Sequence, residues 1–156
     1  MEARLDIQDI VASDVAKHLI AAGQALSGTT LPAGVQELVN IRASQINGCS
    51  VCTDMHTKEA AHAGESPVRL NLVAAWREAT VFTDAERAAL ELAEQGTRIA
   101  DAAGGVSDEV WANAAKHFDQ DQLGSLVATI ALINAFTRVN VVTRQPAGEY
   151  RPGQWK

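Results

Sequence analysis

The spacing of apolar residues predicts helices along nearly the whole chain. Apolar side chains recur every three or four residues, and no stretch alternates apolar and polar residues over the length of a strand. A first apolar stripe runs from Ile7 to Leu26 and predicts one long helix. The most apolar stretch, Leu123 to Val142, is interrupted by Ser125, Asn134, Arg138 and Asn140, so it predicts a buried helix and not a membrane span. The pattern as a whole predicts an all-α fold.

Turn and capping residues divide the chain into about seven helices. Gly28 ends the first, Pro32 suits the first turn of the second, and Asn47–Gly48 ends the second, so a third begins at about Cys49 and ends near Gly64. Ser66–Pro67 marks the start of a helix through Trp76, and the capping box Thr83–Asp84–Ala85–Glu86 marks the start of the next. Ser107 then begins a short helix, and Asp119 begins the long apolar helix. We therefore predict one helical domain over residues 1–144. The proline- and glycine-containing residues 145–156 are predicted to form an extended C-terminal arm.

The net charge, the N-terminal residues and the number of cysteines limit the kinds of binding partner and the cellular compartment that we expect. The 156 residues carry a formal net charge of -6, and an acidic surface disfavours nucleic acid and anionic membrane as partners. The N-terminal residues lack the basic and then apolar layout of a secretory signal, so we predict a cytoplasmic protein. Thiols are kept reduced there. The only two cysteines lie three residues apart, which favours a chemical use over a structural disulfide framework.

Cys49, Cys52 and His56 form the candidate reactive group. Their spacing of i, i+3 and i+7 places them on one face of a helix. The cysteines would lie in its first turn, where free backbone N–H groups and the helix dipole favour the reactive thiolate. His56 is one turn beyond Cys52 and could take its proton directly or through one water. A neighbouring thiol could then convert a sulfenic acid into a disulfide.

Glu37 is a candidate fourth member from the preceding helix. It shares a stripe with Ile41 and Ser44, and this stripe would face the cysteine helix if the two helices pack around the turn at Gly48. A carboxylate there could orient a histidine and stabilise its charge. An isolated glutamate on a helix is equally compatible with a solvated position.

The run from Glu37 to Thr57 resembles the core motif of the alkylhydroperoxidase D-like proteins of the carboxymuconolactone decarboxylase superfamily. That motif is a glutamate, eleven residues, CxxC, three residues and a histidine, and it is matched at Glu37, Cys49, Cys52 and His56. The stretches 72–78 and 82–90 also resemble single-domain members, so the likeness extends over about residues 35–95.

The resemblance implies an all-helical protein that assembles as a homotrimer or homohexamer and reduces hydroperoxides. In the family scheme the second cysteine, here Cys52, attacks the peroxide, and the first, here Cys49, resolves it. The equivalents of His56 and Glu37 form a proton relay. The best-studied members carry a further histidine between the cysteines where this chain has Val51, so one relay member is absent. The lactone decarboxylases of the superfamily lack the CxxC motif, and their activity is not carried over.

The source of electrons is expected to be another protein or dithiol. The chain shows no nucleotide-binding glycine motif, so its redox group would be the Cys49–Cys52 pair with no further cofactor. A lipoyl-type protein is the family precedent for the external reductant, and the sequence is equally compatible with thioredoxin.

Other uses of the same residues remain open at the level of sequence. A zinc site commonly needs a second pair of ligands, and only Cys49, Cys52 and His56, with Glu37 or His62 as a further candidate, are at hand. Haem attachment requires a histidine directly after the second cysteine, and this chain has Thr53 there. A thioredoxin-like fold requires strands around the motif, and the pattern predicts none. The main alternative to an enzyme is a non-enzymatic redox-sensing or zinc-binding module.

The remaining histidines and aromatic residues have structural interpretations. His18, His62 and His117 are predicted to be surface or packing residues, and Trp76 and Trp111 to fill the core or a subunit interface. Tyr150 and Trp155 are expected to contact a neighbouring subunit. The charged residues Glu86, Arg87, Glu91 and Glu94 are predicted to form a solvated helix face.

Overall fold

The computed structural model describes residues 2–102 and 104–154. Over this part of the chain it contains eight α-helices and one 3-10 turn, with no strand, and so confirms the all-α fold and adds one helix to the predicted set. In chain order the elements are α1 (Ile7–Ala12), α2 (Asp14–Leu26), α3 (Ala33–Asn47), α4 (Ser50–His62), α5 (Pro67–Leu72), the 3-10 turn Val73–Ala75, α6 (Asp84–Thr97), α7 (Asp108–Ala114) and α8 (Gln120–Thr143).

The additional helix arises because the predicted first helix is broken at Ser13. This residue has an extended backbone (φ -66°, ψ 145°), and its hydroxyl accepts a hydrogen bond from the amide of Ala16 at 3.3 Å. A serine in this geometry caps a new helix start and separates α1 from α2. The fourth predicted helix also differs, because α5 ends at Leu72 and the chain continues to Trp76 as a 3-10 turn.

Helix ends that carry a strong local signal lie where the sequence predicts them. Gly48 follows the last residue of α3 with φ at 65°, a left-handed conformation that glycine adopts without the strain of a Cβ atom. Thr83 and Glu86 form the predicted capping box at the start of α6. Asp119 forms a second capping box with Gln122 at the start of α8.

Helix α3 is the central element and positions one part of the site. It packs against α4, α6 and α8. Its Val35 and Val39 belong to an apolar cluster with α6, α7 and α8, whereas its Leu38 and Ile41 belong to a second cluster around Trp76. Because successive positions of α3 are buried on different sides, its backbone is held in place around Glu37.

Helix α8 is the one described helix that is long and apolar enough to cross a membrane. It packs against α2, α3, α4 and α6, and its polar residues Asn134 and Thr137 bind the Asn47 side chain at 3.0 and 3.1 Å. These are the contacts of a helix that packs against other helices of its own chain. They also fix the C-terminal end of α3 against α8, next to the cysteines.

The prediction that Glu86 and Glu94 lie on a solvated face of α6 is wrong. The Glu86 side chain is only 16% exposed and forms an ion pair with Arg69. Glu94 is the second case. This side chain is only 14% exposed, and its carboxylate accepts hydrogen bonds from Arg42 at 2.7 Å, Trp76 at 2.9 Å and Arg77 at 2.8 Å. Burial alone would raise the pKa of Glu94, but these three donors outweigh it and the pKa is below its ordinary value. The face is covered because the segment after α5 folds back over α6. Trp76 is a core residue, as predicted.

Candidate redox site

The two cysteines lie at the start of α4, in the predicted position. Cys49 is the N-cap residue, and its sulfur accepts a hydrogen bond from the Cys52 amide at 3.3 Å. The two sulfur atoms are joined as a disulfide, with 5.4 Å between the Cα atoms. The pair is therefore in its oxidised form, and one first-turn amide of α4, that of Cys52, donates to it.

Both cysteines are buried among apolar side chains. Cys49 is 2% exposed and Cys52 1% exposed, and they form a cluster with Ala43 of α3 and Ile133 of α8. Val51, the residue between them, packs against the same cluster. The position where well-studied relatives carry a histidine is thus filled here by an apolar contact.

Glu37 and His56 are brought together as the sequence predicts. The Nδ1 atom of His56 lies 2.8 Å from Oε2 of Glu37, with the histidine side chain 14% exposed and the glutamate 27% exposed. An ionised carboxylate can only accept a hydrogen bond, so Nδ1 carries the proton. In a neutral imidazole this leaves Nε2 as the nitrogen that can accept a proton. The transfer of a proton between His56 and Cys52 stays a prediction.

Asn140 is a site residue that the sequence reasoning missed. Its side-chain amide donates a hydrogen bond to the Cys52 sulfur at 3.4 Å. The residue lies in α8, 88 positions from Cys52, and its only signal in the sequence is that it is polar within an apolar helix. An N–H donor on this sulfur can stabilise a thiolate when the disulfide is reduced.

The C-terminal segment, residues 145–154, lies on α4 of its own chain. Lys58 donates to the carbonyl oxygens of Gly148 at 2.9 Å and Tyr150 at 3.1 Å, and the Gly148 amide donates to Asp54 at 3.0 Å. The Tyr150 hydroxyl donates to Glu59 of the same chain, and a contact between Tyr150 and a neighbouring subunit stays a prediction. The same prediction for Trp155 falls outside the described residues.

The other candidate ligands do not gather at the site. His18, His62 and His117 are exposed, as predicted. Within the described part of the chain, no three residues of the types His, Cys, Asp and Glu are grouped so that they could hold a metal ion.

Comparison with known proteins identifies the family. Residues 13–95, which include the whole Glu37-to-His56 motif, match the profile of the carboxymuconolactone decarboxylase family. The chain belongs to this family. Uncharacterized protein YdfG of Bacillus subtilis (strain 168) is 40% identical over 106 residues, which are 68% of this chain and 71% of YdfG.

Solved structures place this family member among the AhpD-like proteins. ATU0492 from Agrobacterium tumefaciens, a protein of unknown function that is named as a candidate antioxidant-defence protein AhpD, has a TM-score of 0.88 at 30% identity, covering 96% of this chain and 100% of that one. The debrominase Bmp8, solved in complex with 2,3,4-tribromopyrrole, has a TM-score of 0.77 at 16% identity, covering 87% of this chain and 72% of that one. The second likeness shows the shared fold alone. This chain is an AhpD-like family member with a CxxC cysteine pair.

Proposed function

We propose that this protein is a dithiol peroxidase that reduces organic hydroperoxides and is itself reduced by an external dithiol. The observation that supports the proposal most strongly is the Glu37–His56 pair, whose histidine lies on the helix that begins at the Cys49–Cys52 disulfide. This arrangement combines a reactive sulfur, a second sulfur to regenerate it, and an oriented proton carrier. No organic or metal cofactor is required for this chemistry.

The proposed cycle begins with the reduced pair. His56, with Nδ1 bound to Glu37, accepts the Cys52 proton at Nε2, and the Cys52 thiolate attacks the terminal oxygen of the hydroperoxide. The O–O bond breaks, the alkoxide takes a proton from His56 and leaves as an alcohol, and Cys52 becomes a sulfenic acid. The amide of Asn140 would stabilise the thiolate at the start of this step.

The second half of the cycle restores the disulfide and then the dithiol. The Cys49 thiol attacks the sulfenic sulfur of Cys52, and water leaves as the S–S bond forms. An external dithiol, of lipoyl or thioredoxin type, then gives two electrons and two protons by thiol–disulfide exchange. The balanced reaction converts a hydroperoxide and a dithiol into an alcohol, water and a disulfide.

The first test is peroxide consumption by the purified protein with dihydrolipoamide as reductant. We expect turnover of tert-butyl hydroperoxide by the wild-type protein and loss of at least about a hundredfold in Cys52→Ser, because that variant lacks the nucleophile. Cys49→Ser should react once and stop with a sulfenic acid on Cys52, detected by dimedone labelling and mass spectrometry. Full activity in Cys52→Ser would show that the roles are assigned wrongly.

A second candidate is a redox sensor that uses the same pair without rapid turnover. Val51 favours it, because an apolar side chain occupies the position of a relay histidine in well-studied relatives. A sensor would form the disulfide with peroxide once but would show no sustained consumption under excess dihydrolipoamide. The same assay therefore separates the two functions.

A further inference from the structure

The side chain of Asn47 binds the C-terminal end of α3 to α8 beside the first cysteine. Its amide donates hydrogen bonds to Oδ1 of Asn134 at 3.0 Å and to the hydroxyl of Thr137 at 3.1 Å. Thr137 has 0% of its surface exposed, and a hydrogen bond that is shielded from water is stronger than one on the surface. Asn47 is the last residue of α3 and lies two positions before Cys49.

The two acceptors on α8 are themselves held by further hydrogen bonds. The side-chain amide of Asn134 donates to the hydroxyl of Thr97 in α6 at 3.1 Å, and its Oδ1 also accepts from Arg138 at 3.1 Å. The hydroxyl of Thr137 donates to the carbonyl oxygen of Asn134 at 3.0 Å. Both acceptors therefore have a fixed orientation, and they fix the position of the Asn47 amide in turn.

The same side of α8 also reaches the second cysteine. Thr137 and Asn140 are three residues apart and so lie on one side of the helix. Asn140 donates to the Cys52 sulfur at 3.4 Å, whereas Thr137 accepts from Asn47, two residues before Cys49. One helix thus holds the chain next to Cys49 and the sulfur of Cys52.

The backbone carries the position of the α3 end to Cys49. The Cys49 amide donates to the carbonyl oxygen of Ser44 in the last turn of α3 at 3.0 Å. Cys49 is thereby joined to the end of α3 by a hydrogen bond as well as by the chain. A displacement of the end of α3 therefore displaces Cys49 relative to Cys52.

We propose that Asn47 is a positioning residue of the redox pair, which keeps the Cys49 thiol next to the Cys52 thiol when the disulfide is reduced. In the oxidised protein the S–S bond itself holds the two sulfur atoms together. In the dithiol only noncovalent contacts hold them. Without the Asn47 amide the reduced form gains conformational entropy that the oxidised form cannot gain, so the disulfide becomes easier to reduce.

The consequence for catalysis rests on the proposed function. The same freedom would slow the step in which Cys49 attacks the sulfenic acid of Cys52, because that step requires the two sulfur atoms to be close and oriented. The proximity of the thiols can be measured without peroxide. Dithiothreitol reduces the protein disulfide to the dithiol and is itself oxidised to its cyclic disulfide, so the equilibrium constant of this exchange reports how well the protein holds its two thiols together.

The test compares the wild-type protein with Asn47→Ala. Alanine is a good helix former, so the change removes the side-chain amide without weakening α3 itself. We expect the equilibrium constant for reduction by dithiothreitol to rise about fivefold, as the loss of one hydrogen bond implies. The reduced fraction is measured by alkylation and mass spectrometry, starting from the oxidised and from the reduced protein.

Thr129→Val is the matched control. It removes another buried hydroxyl of α8, whose hydrogen bond goes to the Ser125 carbonyl oxygen of the same helix at 2.8 Å. This variant should keep the wild-type constant, because its contact does not reach α3.

A double variant shows whether the effect passes through α8. Thr137→Val removes one acceptor of the Asn47 amide, so it should raise the constant by less than Asn47→Ala does. Asn47→Ala/Thr137→Val should give the same constant as Asn47→Ala, since the shared contact is already absent.

Three results would overturn the proposal. The first is a folded Asn47→Ala protein, judged by circular dichroism, with the wild-type constant. The second is a rise of equal size in Thr129→Val, and the third is a double variant in which the two single effects add in full. If Asn47→Ala does not fold, Thr137→Val decides, because a raised constant supports the proposal and a wild-type constant contradicts it. A protein that shows the expected shifts but consumes no hydroperoxide would contradict the peroxidase function and leave the role of Asn47 intact.

Discussion

His56 is a residue whose proton position is determined by one contact. The Glu37 carboxylate holds Nδ1 at 2.8 Å and thereby leaves Nε2 for proton transfer. The family resemblance implies this pair, whereas the residues alone are equally compatible with a solvated Glu37. Two contributions to proton transfer can therefore be distinguished by mutation. His56 supplies the base, and Glu37 orients it.

Replacing Glu37 tests the orientation. In Glu37→Gln the amide oxygen can still accept from Nδ1, but the negative charge that stabilises a protonated imidazole is lost. We expect the rate of peroxide-dependent oxidation of the reduced protein to fall about tenfold, and about a hundredfold in His56→Ala, where the base itself is missing. Stopped-flow tryptophan fluorescence gives these rates, and equal losses in the two variants would contradict separate roles.

Asn140 shows what local sequence cannot reveal at the residue scale. Its contact with Cys52 joins α8 to α4 across 88 positions. Neither helix pattern nor motif spacing specifies which polar residue of an apolar helix will face the cysteine, because that depends on how the helices pack. The residue is consequently visible only in the folded structure.

We expect Asn140→Leu to slow the alkylation of Cys52. The substitution keeps a similar side-chain volume but removes the N–H donor on the sulfur, so the thiolate loses one stabilising hydrogen bond. At neutral pH the rate with iodoacetamide should fall several-fold, about as one lost hydrogen bond implies. The measurement uses Cys49→Ser as the background, so that Cys52 alone reacts, and an unchanged rate would exclude Asn140 from this role.

At the scale of elements, strong local signals were sufficient for most helix ends. The Gly48 and Thr83 boundaries follow from backbone and capping preferences that act within four residues. The division at Ser13 was missed because the apolar stripe continues across it, and a capping serine also occurs inside helices. The burial of Glu94 was missed because the covering segment is distant along the chain.

Glu94 of α6 should make the free energy of unfolding depend on pH. Its pKa is lower in the folded protein than the ordinary value of 4.5, so the unfolded chain binds more protons in this range. The ionised Glu94 therefore stabilises the folded protein fully above about pH 5, and this stabilisation is lost as the pH falls through the pKa that Glu94 has in the folded protein.

In Glu94→Gln we expect a loss of about 2 kcal/mol in the free energy of unfolding at neutral pH, since charged hydrogen bonds to Arg42 and Arg77 are removed. Urea unfolding at several pH values measures this. The difference from the wild type should shrink below about pH 4. A difference that stays constant with pH would show that the Glu94 charge is not its cause. Glu78→Gln, for which the structure gives no ion pair with a described residue, is the matched control.

At the scale of the whole molecule, apolar surface remains uncovered in the single chain. Helices α1 and α2 contain no buried residue although they carry the first apolar stripe. A groove of about 560 Å³ between α6, α7 and α8 is almost entirely apolar, and its Trp111 is 45% exposed. The homotrimer or homohexamer implied by the family resemblance stays a prediction, and these surfaces are where we expect it to form.

We expect Trp111→Arg to lower the oligomeric state, because a charged side chain in an apolar interface would be buried without a partner. Sedimentation velocity of the wild type and the variant gives the masses. Val68→Arg, another exposed apolar position but outside the groove, is the control and should keep the wild-type mass. An unchanged mass for Trp111→Arg, or a monomeric wild-type protein, would contradict an interface at this groove.

The burial of the disulfide has a kinetic consequence. Thiol–disulfide exchange requires the incoming sulfur to approach along the line of the S–S bond, and neither cysteine has more than 2% of its surface exposed. A bulky dithiol can thus react only from states in which the first turn of α4 has opened. Its reduction rate would level off at the opening rate as its concentration rises, and the amide hydrogens of residues 52 and 53 would exchange with solvent through the same event.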